Sequence, residues 1–312
     1  MSGRRRYFLV VFVAFAAVVA AACAPQTGVY SGTPSITTGT YRIGPFNLAA
    51  MDQPGWESNA TQANVPRPPG TVGIKSIDFD IVDAAGNAIP RMDVHLHHVL
   101  LMNGARTSPI CAREEQRFAG AGAERTPMGL WGSYAYVTNS TDRWDSLWHI
   151  MNMMDMPMSV YIQYKVGYVP ATDPSAARPV VPFFLDVTGC GTSAEFNVPG
   201  TGGPGSVFTN ARTFTAPWDG VLVGIGGHLH GGGIDIGIKQ DSSGAIGCTA
   251  VAHYDMPEPM DFPSSITSCQ PHYSVKSGAN YTMTARYDNS KPYSGVMGIM
   301  LGYVWQGTPP AN

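Results

Sequence analysis

Charged side chains are scarce in this chain. Lys, Arg, Asp and Glu make up 13% of its 312 residues and nearly cancel, leaving a formal charge of −3 with histidine neutral. That balance gives no basic footprint for a nucleic acid, so no nucleic-acid partner is expected. A sustained helical period is missing, as is any close internal repeat. No Gly-x-Ser-x-Gly elbow, phosphate-binding glycine loop or His-Glu-x-x-His helix occurs, so the commoner enzyme classes find no motif here. The apolar run from Tyr7 to Ala22 is short for a membrane span.

What the chain does have is glycine and proline, 36 and 25 residues, a mix that favours many strands and tight turns. Short β-rich segments recur between turn signals: Gly73–Asp83, Val94–Met102, Ser159–Val169, Phe183–Val187, Phe208–Thr215, Gly220–His228, Ile234–Lys239, Tyr281–Tyr287 and Val296–Trp305. The pattern predicts an all-β fold of two tandem antiparallel β-sandwiches, jelly-roll-like, over residues 71–200 and 206–308. The glycine-rich stretch Gly200–Gly205 marks the boundary between them. Residues 24–70, rich in Gly, Pro, Ser, Thr, Asn and Gln, read as a tether and irregular lead-in.

Arg4-Arg5-Arg6, the apolar run and Ala20-Ala21-Ala22-Cys23 have the layout of a secretory signal over residues 1–23. Cys23 after three alanines fits a bacterial lipoprotein cleavage site, which would put the chain in the cell envelope on a lipid anchor or outside the cell. Arg5-Arg6-Tyr7-Phe8-Leu9 also resembles a twin-arginine signal, and a retained anchor helix is a further alternative. Four cysteines follow. An even count in an oxidising compartment suggests two disulfides in one of three connectivities, the local pair Cys248–Cys269 with Cys111–Cys190 being favoured and free thiols the alternative.

Five of the eight histidines fall in two short segments, His95-Leu96-His97-His98 and Gly227-His228-Leu229-His230-Gly231. Strand side chains alternate between faces, so His228 and His230 share one face and supply half of a tetrahedral copper or zinc site. The flanking glycines leave room for a ligand or another strand. Met297 is the candidate third ligand, and a thioether turns the set toward copper. In the upstream cluster two arrangements stay open: His95 with His97 on a regular strand, or His97 with His98 across a bulge. Met151–Met158 carries five methionines in eight residues, either a Cu(I) site or an adaptable apolar edge. His253 and His272 are isolated, and Asp288 reads as a turn residue.

His97-His98-Val99-Leu100-Leu101-Met102, His228-x-His230 and Met297 resemble, in the same order, the copper motifs of the peptidylglycine α-hydroxylating and dopamine β-hydroxylating monooxygenases. Residues 70–306 also resemble the stress up-regulated nodulin-type proteins, through His97-His98, Gly227–Gly232, Tyr287-Asp288-Asn289-Ser290 and Gly295-Val296-Met297-Gly298. The monooxygenase resemblance implies one copper per domain: an electron-transfer copper at His97 and His98, and an oxygen-binding copper at His228, His230 and Met297. It also implies a third first-domain histidine, but Tyr164 or Lys165 stands at that position, leaving His149 or His95 as substitutes. The functional expectation is thus an exported copper-binding protein that, if an enzyme, is a monooxygenase acting with ascorbate on a small or peptidic substrate. A copper-handling lipoprotein without turnover and a metal-free envelope β-sandwich are the alternatives.

Overall fold

The computed structural model describes residues 33–191, 193–255 and 261–307. The expected signal segment with Cys23 lies outside the described residues. Within them the chain is almost wholly β, with one short 3₁₀ turn at Pro174–Ala176. The all-β expectation holds.

Three sheets form two sandwiches, one long sheet being shared by both. In the first sandwich, Thr37–Leu48, Met158–Pro170, Val72–Val82 and Tyr134–Thr138 lie side by side. They face a sheet ordered Glu57–Gln62, Trp144–Asn152, Val94–Thr107 and Glu115–Gly122. The strand code is visible in the core between them, where Ile74, Ile77, Ile81, Leu96, Leu101, Phe118, Trp144 and Tyr164 are almost completely buried. Burying each aliphatic side chain of this size is worth about 1.5–3 kcal/mol.

In the second sandwich, Arg178–Asp186, Tyr293–Trp305 and Gly220–Leu229 form the centre of one sheet. The other sheet runs Val207–Thr215, Asn280–Asp288, Gly233–Gln240 and Ile246–His253. Ile236, Met283, Ala285, Tyr287, Met300 and Val304 are fully buried between them. Both expected disulfides are present, Cys111–Cys190 and Cys248–Cys269.

The sandwiches share a seam. A short parallel pairing, Arg178 with Tyr134 and Pro179 with Ala135, makes one sheet of the first continuous with one of the second. Across the seam the Tyr303 hydroxyl donates to the Phe118 carbonyl at 2.9 Å, and the Arg91 guanidinium donates to the Ser264 carbonyl at 2.7 Å. Val221, Val223 and Tyr303 of the second unit are packed into the core of the first.

The expected boundaries shift on three points. Thr37–Leu48 and Glu57–Gln62, assigned to the irregular lead-in, are strands, and Thr37–Leu48 pairs with Met158–Pro170 along nearly its whole length. Their polar composition hid a sparse set of anchors, Ile43 and Leu48, that only the partner strand makes useful. Arg178–Asp186 and Glu195–Val198, assigned to the first sandwich, pair with Tyr293–Trp305 in the second. Gly200–Gly205 therefore joins two strands of one sandwich, because a glycine-rich turn marks a change of chain direction and not a domain limit.

Candidate metal centre

Val94–Thr107 supplies the first histidines. Val94, Leu96, Val99 and Leu101 point into the core, so the phase of burial slips by one residue between Leu96 and Val99. The pairing with Trp144–Asn152 shows why: the register jumps between Leu96 and His98, a β-bulge at His97. His97 and His98 consequently share the face opposite the core, and their Nδ1 atoms lie 3.0 Å apart. Of the two arrangements left open by sequence, the bulged one is present. His95 stays on the same face, 5.9 Å from His97 between ring centroids, and packs on Phe262 at 4.6 Å.

His149 sits opposite His98 on the neighbouring strand. Its Nε2 faces the Glu57 carboxylate at 2.9 Å, leaving Nδ1 without that partner. One ring nitrogen from each of His97, His98 and His149 lies within 4.8 Å of the other two, close enough for a single ion. Tyr164 and Lys165, at the position where the monooxygenase resemblance expects a histidine, are in the other sheet of the sandwich. Tyr164 is in the core with its hydroxyl donating to the Pro66 carbonyl, and Lys165 is exposed.

His228 is the penultimate residue of the Gly220–Leu229 strand and His230 lies just past its end, with ring centroids 5.1 Å apart. Each ring is held at one nitrogen only. His228 Nδ1 lies 3.2 Å from both oxygens of Glu124, a carboxylate buried at the end of the Glu115–Gly122 strand. His230 Nδ1 donates to the Gly295 carbonyl at 2.8 Å. The Nε2 atoms of both are buried without a hydrogen-bond partner. An imidazole anchored through one nitrogen by a carboxylate or carbonyl, with the other bare and buried, is the arrangement of a metal-bound histidine. Tyr287 braces the pair from behind: its hydroxyl accepts from the His230 N–H at 3.1 Å and donates to the Met297 carbonyl.

Met297 lies in the strand beside the pair. His228 is opposite Ile299 and Leu229 opposite Gly298, so Met297 comes level with His230 on the face shared by Ile299 and His228. It packs on Phe184 and Ile299 and borders the same cavity as His228.

The two histidine groups meet at the seam. The rings of His97 and His230 are 4.2 Å apart, and His97 and His149 are 4.6 Å apart. Burial, then neighbouring histidines, holds His95, His97, His98 and His230 in the neutral, ligating form. His97 falls far below the ordinary histidine range through burial and the adjacent His230. His98 drops to about 3, through burial and His228. His95 drops to about 4, through burial and His149, and burial likewise lowers His230. At Glu124 burial pushes upward, but His228 and the surrounding hydrogen bonds outweigh it and leave the carboxyl below its usual range.

A cavity of about 660 Å³ opens beside this centre, between the sandwiches. His98, His228, Glu124 and Met297 border it, with Leu100, Met102, Phe184, Ile299 and Leu301 as apolar walls. Gly226 and Gly227 divide the two faces of their strand. A side chain on Gly226 would have Ser268 as its nearest neighbour at 3.8 Å, whereas one on Gly227 would strike Ile236 at 2.4 Å. The glycine beside the cavity leaves open space, and its neighbour lets the second core close.

The other candidates fall outside this centre. The methionine run divides, with Met158 on the first core, Met156 exposed, and Met151 opposite His95. His253 and His272 are exposed, and Asp288 accepts from the Ser290 backbone in a turn. Glu124 and Glu57 had no signal in the sequence, and Tyr287 only its place in a resemblance motif: Glu124 stands 104 residues from the ring it orients.

Residues 36–122 match the family model described as Stress up-regulated Nod 19, which supports the nodulin-type resemblance. The match contains His95, His97 and His98 and ends before His149, His228, His230 and Met297. No curated protein matches the chain. Among solved structures it is similar to a peptide-N(4)-(N-acetyl-β-D-glucosaminyl) asparagine amidase, at 10% identity and a TM-score of 0.43 over 88% of this chain and 98% of that one. It is also similar to PNGase F, a glycosylasparaginase from Flavobacterium meningosepticum, at 10% identity and a TM-score of 0.41 over 88% and 98%. A third is PNGF-II, at 11% identity and a TM-score of 0.38 over 85% and 65%. At these scores neither fold nor activity carries over. The link to the copper monooxygenases gains no support from these likenesses and rests on the motifs alone.

Proposed function

We propose that this chain is an exported copper-binding protein whose metal is held by the histidines at the seam. The carrying observation is the pair of bare, buried Nε2 atoms on His228 and His230, each ring anchored through Nδ1 and facing the His97, His98 and His149 group. Leaving two such nitrogens unpaired costs about 1–3 kcal/mol each, a cost that metal ligation removes. Met297 beside the pair and the imidazole donors favour copper over a hard cation. The two disulfides fit an oxidising compartment, and Cys23 is the residue that would carry a lipid anchor.

A second reading, ascorbate-dependent oxygenation of a small or peptidic substrate, draws on the cavity bordered by His98, His228 and Met297. Copper bound there would supply dioxygen binding and one-electron chemistry. The chain's own part would be to seat an apolar group against Leu100, Phe184 and Ile299 and to keep His228 oriented through Glu124.

Metal analysis of the mature chain purified with copper, beside His228→Ala and His97→Ala, tests the first reading. Stoichiometric copper lost in the variants is expected, and its absence in the parent would leave a metal-free envelope sandwich. Oxygen uptake with ascorbate that vanishes in His228→Ala would establish turnover; copper without uptake would leave a binding protein.

A further inference from the structure

The motif resemblance implies two separate coppers, one in each sandwich. The fold puts their ligands in contact. We propose that the two histidine groups form one magnetically coupled dinuclear copper centre across the seam, with His97, His98 and His149 on one ion and His228 and His230 on the other. This inference rests on the copper reading above.

Ring spacing within each group fits one ion. With metal–nitrogen bonds of about 2.0 Å, two imidazoles on one tetrahedral ion have centroids roughly 5 Å apart and nitrogens roughly 3.3 Å apart. Within the first group the centroids are 5.2, 4.6 and 5.8 Å apart, and the two Nδ1 atoms of His97 and His98 are 3.0 Å apart. Within the second they are 5.1 Å apart. Five imidazoles exceed the four places of one tetrahedral ion, so a single metal would leave a buried ring unused.

The boundary between the groups is also histidine. His97 meets His230 edge-on, with ring centroids 4.2 Å apart. Outside partners hold the rings from both sides, Glu57 on His149, Glu124 on His228 and the Gly295 carbonyl on His230. Those anchors turn the remaining nitrogens of His149, His228 and His230 away from the hydrogen-bonding shell. Each sandwich contributes one half, so the centre exists only when the seam is closed.

Loading the mature chain with copper(II) sulfate, then comparing copper per chain with the integrated electron paramagnetic resonance signal, tests this. The expected result is two coppers per chain, a signal well below that of two isolated ions, and a half-field transition. His230→Ala should remove one copper and restore an ordinary mononuclear signal from the other. His149→Gln should do so from the opposite side, which guards against one variant that fails to fold. Two coppers giving the full signal of two isolated ions would overturn the coupled centre and leave copper binding intact. One copper per chain would also overturn it. No copper would overturn this inference and the copper reading together.

Discussion

The buried carboxylate of Glu124 lies 3.2 Å from His228 Nδ1, reaching from the first sandwich to orient a ring that belongs to the second. This contact and the His97–His230 ring contact make the candidate centre a property of the seam and of neither sandwich alone.

Replacing Glu124 with glutamine keeps the shape and removes the charge that fixes the His228 tautomer. Losing such a partner costs roughly 10–100-fold in metal affinity. A competitive copper titration of Glu124→Gln should show a loss of that size with the fold retained by circular dichroism. Unchanged affinity would mean that Glu124 only fills space.

Gly122 is the close approach that admits His228. A side chain there would meet His228 Cε1 at 2.3 Å and Nδ1 at 2.6 Å. Gly122→Ala is expected to displace the ring, lower copper affinity and cost about 1–3 kcal/mol of stability by overpacking. Urea unfolding of the metal-free variant reads the stability loss. Parent-like values in both measurements would contradict the tight seam.

Asp186 borders the cavity, and burial raises its carboxyl to about 6 against the pull of its Thr188 hydrogen bonds and Arg117. The folded chain therefore binds more protons at this residue than the unfolded chain between pH 3.8 and about 6. Its neutral form supports stability below pH 3.8, and that support is lost as the pH rises through about 6. Asp186→Asn, which keeps an acceptor for Thr188, should match the parent near pH 4. Above pH 7 it should exceed the parent by on the order of 2–3 kcal/mol. Chemical denaturation across that range checks the sign; an advantage largest in acid would refute the buried-carboxyl account.

The two disulfides close loops of different length, with sequence separations of 79 and 21. Chain-entropy arguments give about 4.5 kcal/mol for the Cys111–Cys190 link and about 3.3 kcal/mol for Cys248–Cys269. Paired serine substitutions should preserve that order in denaturant melts. A reversed order would show that native-state strain outweighs loop entropy.

Sequence alone made several features legible because they depend on local pattern. Alternating β-branched strands and turn residues marked Val72–Val82, Gly220–Leu229 and Asn280–Asp288, and His228-x-His230 followed from the two-residue repeat of a strand. Four cysteines allowed three pairings, and the one favoured for its local Cys248–Cys269 link is the one present. Thr37–Leu48 was hidden because its few apolar residues only find purpose against Met158–Pro170, more than a hundred residues away.

Residue identity and spacing thus determined the all-β class and the two histidine segments. Tertiary structure decided what those segments become. The bulge that turns His98 onto the face of His97 depends on how that strand pairs with Trp144–Asn152. The meeting of His97 with His230, the placing of His149 across from His98, and the reach of Glu124 to His228 depend on sheets built from distant parts of the chain. A strand's own residues set which side chains share a face; only its neighbours determine what that face meets.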